Sequence, residues 1–117
     1  MTHRVILQPR AVNDIHSAAQ WIREKSQSPA VALRWVHGIR SKIATLANQP
    51  LRCPIDPDSE AYGEEVRLLL HGKQGNRYRI LFAIQGDAVH ILTVRHTAQR
   101  TLNEEIEDQD DDSVHQA

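Results

Sequence analysis

Three arginines and two histidines hold most of the charge and proton chemistry that this chain could gather in one place. Arg67, Arg79 and Arg95 fall in three successive apolar runs between Glu65 and His96, and His71 and His96 end the first and last of those runs. A guanidinium is a standing cation suited to an oxyanion, and an imidazole exchanges protons near pH ~6.5. Each residue also has a plain structural use. Arg79 can pair with Glu24, Glu65 or an acid of the long loop before the first run, and His96 can be a strand-end imidazole satisfied by backbone. Other chemistries are excluded by spacing. None of the seven histidines makes a His-x-x-x-His pair or a histidine–carboxylate cluster, so neither a metal nor a cofactor is expected. Gly72-Lys73-Gln74-Gly75 joins strand to strand and opens no helix, so it is not a phosphate loop. Cys53 is the only cysteine, which excludes a disulfide framework and a paired-thiol site and leaves a small packed thiol.

The elements that must position these residues are legible in the same stretch. Glu65–His71, Arg77–Ile84 and Ala88–His96 read as a three-stranded antiparallel meander, reversed at Gly72–Asn76 and at Gln85-Gly86-Asp87. In the second strand Tyr78, Ile80, Phe82 and Ile84 share one face, while Arg77, Arg79, Leu81 and Ala83 share the other. Strict alternation in the third puts Val89, Ile91, Thr93 and Arg95 together, opposite His90, Leu92, Val94 and His96. Both faces are therefore partly apolar. One layer of helices covers one face of an antiparallel sheet, so the second, mixed aliphatic and basic, reflects either the ordinary preference of strands for Ile, Val and Leu or a surface that receives a partner.

Ahead of the meander, Arg4–Leu7 reads as a short strand and Pro9 opens a helix with an apolar stripe at Val12, Ile15, Ala19 and Ile22. Ser28-Pro29 starts a second helix, whose stripe of Ala32, Trp35, Val36, Ile39, Ile43 and Leu46 runs to Ala47. The two form an antiparallel hairpin with Trp21 and Trp35 as partly buried anchors. A proline-bearing loop from Leu51 to Gly63 returns the chain to the sheet.

Charge divides the 117 residues unevenly. The net charge is -1, yet Glu104, Glu105, Glu107, Asp108, Asp110, Asp111 and Asp112 hold seven of the 15 acids, so residues 1–103 carry +6. A basic body with an acidic tail suggests an anionic partner. Residues 1–103 are expected to form one domain, and 104–117 a disordered tail that folding does not need. No apolar run approaches the ~18 residues of a membrane span, so a cytoplasmic protein without a membrane partner is expected.

The order strand, helix hairpin, loop and meander, with Leu51-Arg52-Cys53-Pro54, Gly75-Asn76-Arg77-Tyr78-Arg79-Ile80-Leu81-Phe82 and Val94-Arg95-His96 in register, resembles the RelE/ParE toxin superfamily over residues 4–102. The resemblance implies an α+β fold with an antiparallel helix hairpin on one face of a mainly antiparallel sheet. It implies the toxin half of a type II toxin–antitoxin pair, a growth inhibitor neutralised by a cognate antitoxin protein. Two activities exist in the superfamily. RelE-like members cut mRNA on the ribosome, driving a 2′-OH into its neighbouring phosphate. In that reading Arg67, Arg79 and Arg95 supply cations, His96 or His71 moves protons, and Tyr78 is a weaker candidate. ParE-like members inhibit DNA gyrase and need no catalytic set. Thr97-Ala98-Gln99-Arg100 follows His96 where RelE-like nucleases add a tyrosine, and Lys73 stands in place of a lysine-rich middle, so the ParE-like reading is preferred. A degenerate toxin that survives as a binding partner or co-repressor is the third reading.

Overall fold

A computed structural model describes residues 2–97. The chain runs β1 (Arg4–Leu7), α1 (Pro9–Ser26), α2 (Pro29–Ala44), β2 (Arg67–Lys73), β3 (Asn76–Gln85) and β4 (Ala88–His96), with single 3₁₀ turns at Thr45–Ala47, Pro50–Arg52 and Ser59–Tyr62. The sheet order is β1-β4-β3-β2. β2, β3 and β4 form the antiparallel meander, and β1 pairs with β4 in parallel, Arg4 opposite Ala88 and Leu7 opposite Ile91. This is the α+β arrangement anticipated above. The domain boundary and the tail expected at residues 104–117 lie outside the described residues.

The helices begin where their sequences dictate. Pro9 and Pro29 both stand in a first turn, where a missing N–H leaves nothing unpaired. Ser28 caps α2, its side chain accepting from the Val31 N–H at 3.3 Å. α1 ends where Gln27 turns left-handed, at φ 57°. The buried stripe of α1 is Ala11 and Ile15 with Ala18 beside them, so small residues let it approach the sheet closely. Ile39, Ile43 and Leu46 from the second helix and its 3₁₀ extension meet Tyr78, Ile80 and Phe82 of β3 and Val89, Ile91 and Val94 of β4. These buried side chains supply the hydrophobic driving force, on the order of 2 kcal/mol each for the larger ones.

Three expectations are corrected. Trp21 is no anchor: it stands 47% exposed, with the Lys25 ammonium 5.8 Å from its ring centroid, because it lies outside the stripe that faces the sheet. The first reversal is shorter than the five residues expected. Lys73 pairs with Asn76, leaving Gln74-Gly75 as the turn, and Gly72 sits inside β2 at φ +113°. The third correction concerns alternation in β4. Leu81 pairs with Thr93 and Phe82 with Ile91, so Leu92 is an extra residue in a β-bulge. Past the bulge the parity inverts. Val94 joins Val89 and Ile91 in the core, while Thr93 and Arg95 move to the face away from the helices.

Candidate functional site

The bulge assembles the helix-free face. Arg95 stands directly opposite Arg79, and Arg79 opposite Leu70 on β2, so Leu70, Arg79 and Arg95 form one cross-strand row. Leu68, Leu81 and Thr93 form the next. Side chains opposite one another on adjacent strands have Cβ atoms about 5 Å apart, and like charges so placed repel. Arg95 is nevertheless buried, 6% exposed, and Arg79 has its Nε atom buried without a hydrogen bond.

The loop beside this row is a built element. Pro54 O accepts from the Leu68 N–H at 2.9 Å and the Asp56 N–H donates to Val66 O at 2.8 Å, so the loop pairs along the outer edge of β2. The Asp58 N–H donates to Asp56 Oδ2 at 2.9 Å, and Ser59 Oγ accepts from the Val66 N–H at 2.7 Å while donating to Glu64 O at 3.1 Å. Thus tied, the 3₁₀ turn carries Tyr62 to the arginine row. Its phenol lies within electrostatic reach of Arg95, Asp56, Arg10 and Arg79. Burial pushes the Tyr62 phenol up from its ordinary value of 10.0, with the arginines pulling it back, so at neutral pH it is a proton-bearing donor. Burial pushes Arg95 the other way, down from its ordinary value, assisted by Arg10 and Arg79 and opposed by Tyr62 and Asp14.

Asp14 fixes the remaining side. β1 stops at Leu7, so β4 has no strand neighbour there beyond Ile91, and α1 runs along that open edge. The Asp14 carboxylate accepts from the Val94 N–H at 3.0 Å and from the Thr93 hydroxyl. Gln8 Nε2 donates to His90 Nδ1 at 2.9 Å, a second stitch from the start of α1 to β4.

The residues singled out from sequence divide into two groups. Arg79 and Arg95 are together. Arg67 is occupied elsewhere: its guanidinium donates to Cys53 O at 2.6 Å and to Glu65 Oε1 at 3.2 Å, tying the loop to β2. Glu65 therefore serves Arg67, and the ion pairs among the described residues, Arg67–Glu65 and Arg4–Asp87, leave the expected Arg79 pairing unmet. His96 pairs with Tyr78 on the helix side, where its ring meets the tyrosine edge-on at 4.9 Å and Nε2–H donates to Asn76 Oδ1 at 2.8 Å. Tyr78 in turn meets the Trp35 ring at a tilt, centroids 4.8 Å apart, and is 4% exposed. His71, opposite Tyr78 in the same row, is pushed below its ordinary 6.5 by burial and then by Lys42. The two arginines and the histidines thus occupy opposite faces. Sequence reasoning missed Arg10, Asp14 and Tyr62. The one signal for Tyr62 was the length of its loop.

No group of three or more metal-ligating side chains occurs among the described residues, and none of their helices is long and apolar enough to cross a membrane. Elsewhere on the surface, an open groove of about 290 Å³ lies between β1 and α2, lined by Val5, Leu7, Arg40, Ile43 and Ala44.

Comparison with known proteins agrees with this architecture. Residues 5–101 match the family described as "ParE toxin of type II toxin-antitoxin system, parDE". No curated relative matches. Among solved structures, a chain of the "Chromosomal ParDE TA system from P. aeruginosa" superposes with a TM-score of 0.64 at 19% identity, over 81% of this chain and 96% of that one, which shows a common fold.

Proposed function

Taking as premise that the chain belongs to the ParE toxin family of type II toxin–antitoxin systems, we propose that this toxin arrests growth by holding DNA gyrase, with no bond made or broken. The membership makes a cognate antitoxin its natural partner. The target is our reading, and one observation carries it. Message cleavage needs a proton-transfer group beside the cations that receive the phosphorane charge. Here His96 meets Tyr78 edge-on on the helix side, Arg67 is held by the Cys53 carbonyl, and Arg79 with Arg95 lies on the opposite face. A protein that inhibits by fit alone needs no such convergence.

One feature favours a second reading. The Tyr62 phenol, kept protonated by burial, stands within reach of Arg10, Arg79 and Arg95, and a neutral phenol beside guanidiniums can protonate a leaving 5′ oxygen. Supercoiling by purified gyrase and translation in extract, run side by side, separate the two. Arrested supercoiling with intact message is expected. Message cut at codon-defined positions, lost by about 10² in rate on Arg79→Ala or Tyr62→Phe, with gyrase unimpaired, overturns the proposal. A protein inert in both assays that still binds its antitoxin is a degenerate toxin and overturns it equally.

A further inference from the structure

Charge is segregated between the helix layer and the loop. Residues 9–44 hold six cations, Arg10, Arg23, Lys25, Arg34, Arg40 and Lys42, against Asp14 and Glu24, whereas residues 51–65 hold five acids against Arg52 alone. Both helix acids are occupied: Asp14 by the Val94 N–H and the Thr93 hydroxyl, Glu24 by the Gln20 amide at 3.4 Å. α2 has no acid in its 16 residues. A helix face built only for solvation intersperses both signs and pairs them three or four residues apart. Arg23, Arg34 and Arg40 have no carboxylate at either spacing.

These three guanidiniums are also uncommitted, unlike arginines elsewhere. Arg4 pairs with Asp87, Arg52 donates to the Asn48 carbonyl at 2.7 Å, and Arg67 donates to the Cys53 carbonyl at 2.6 Å. Arg23, Arg34 and Arg40 are exposed and make no hydrogen bond or ion pair with the described residues. Successive helical residues turn by about 100°, which sets Arg34, His37 and Ser41 opposite the buried Ala32, Ile39 and Ile43, with Arg40 on the flank, at the rim of the groove beside β1. Arg34 and Arg40 are about 9 Å apart along the axis. On α1, His16, Gln20 and Arg23 are exposed in the same layer. Guanidiniums interleaved with hydroxyl and amide donors are the groups that bind phosphodiester oxygens.

We propose that the outer face of the helix hairpin binds the phosphate backbone of duplex DNA, with Arg23, Arg34 and Arg40 as its anchors. The inference rests on the gyrase reading for its choice of polyanion, because a toxin held on gyrase sits beside the duplex on which gyrase acts. Two antiparallel helices side by side span about 20 Å, too broad for a major groove about 12 Å wide. The face therefore rides on the backbone and reads no sequence. Its attraction is electrostatic, driven by release of the counterions that the arginines replace.

A short labelled DNA duplex of arbitrary sequence, followed by fluorescence anisotropy, tests the face without gyrase. Three phosphate contacts predict an affinity that falls about 40-fold between about 50 and 200 mM salt. Each of Arg23→Gln, Arg34→Gln and Arg40→Gln should make the slope of log affinity against log salt shallower by about 0.9. The triple variant should lose the salt-dependent binding, with its fold checked by circular dichroism. Lys73→Gln, an exposed cation at the tip of the β2–β3 hairpin, should change nothing. A chain that binds no duplex at low salt overturns the proposal, as does a triple variant that binds like its parent or a Lys73→Gln variant weakened as much as Arg34→Gln. Tighter binding of polyglutamate, or of an RNA duplex of the same sequence, gives the face to an acidic protein or to RNA and overturns it equally. Supercoiling assays on the same samples keep the two readings apart. Arginine-dependent DNA binding without arrest of gyrase ends the gyrase reading and leaves this face standing, while arrest by a chain that binds no DNA does the reverse.

Discussion

A single carboxylate, Asp14, holds the site and the fold together, because it satisfies a backbone donor on a strand edge that no strand covers. Asp14→Ala leaves the Val94 N–H and the Thr93 hydroxyl without their acceptor and should cost about 1–3 kcal/mol in urea unfolding; Asp14→Asn, which keeps an acceptor oxygen, should cost less. His71 gives a pH signature. Its folded-state value lies below the ordinary 6.5, so the unfolded chain binds the proton first and stability is lost as pH falls below that value. His71→Gln should flatten the decline in melting temperature on the acid side of pH 6.5, whereas an unchanged slope assigns it to other groups. At this scale the sequence exposed the strand arginines and concealed their surroundings. Arg79 and Arg95 announced themselves as cations within apolar runs, but Tyr62 reaches them only through loop–strand hydrogen bonds made at the edge of β2. Arg67 looked like their equal until Cys53 O claimed it. Pairing between distant segments leaves no local periodicity to read.

The helix starts, the short first strand and the meander were legible because each carries its own chemistry: Pro9, Ser28-Pro29, alternating β-branched residues and Gly86 at a tight turn. The bulge was not. Ile91-Leu92-Thr93-Val94 tolerates either parity, so nothing in composition marks Leu92 as the residue left over, and only the ladder with β3 decides it. Its effect is large, since strict alternation would have sent Arg95 toward the core. Gly72 was read as a turn residue and is instead an interior strand glycine with a steric reason to be there. A Cβ at this position would stand 2.6 Å from Asn76 O, at a φ of +113° that side chains rarely adopt. Gly72→Ala should therefore destabilise by roughly 2–4 kcal/mol in chemical denaturation. Gly75→Ala, with open space around its Cβ, should cost less, and equal costs would show that backbone strain alone governs this hairpin.

Across the whole molecule, the parallel pairing of β1 with β4 joins nearly the first residues described to nearly the last. Most contacts in the meander are local, but this one closes a loop that includes both helices and the other two strands, and such distant closures form late. The chain emerges from the ribosome N-terminus first, so β1 must wait, unpaired, until Ala88–Ile91 has been made. The Arg79–Arg95 row waits for the same strand. Nascent chains arrested with residues up to Asp87 exposed should remain open to protease, and those exposing residues up to Thr97 should become resistant together with their β1 segment. Early resistance would show that the helices and the β2–β3 hairpin fold without the closure. The fold thereby acts as a timer: a chain of this topology cannot close its sheet, or set Arg95 opposite Arg79, until Ala88–His96 has been synthesised.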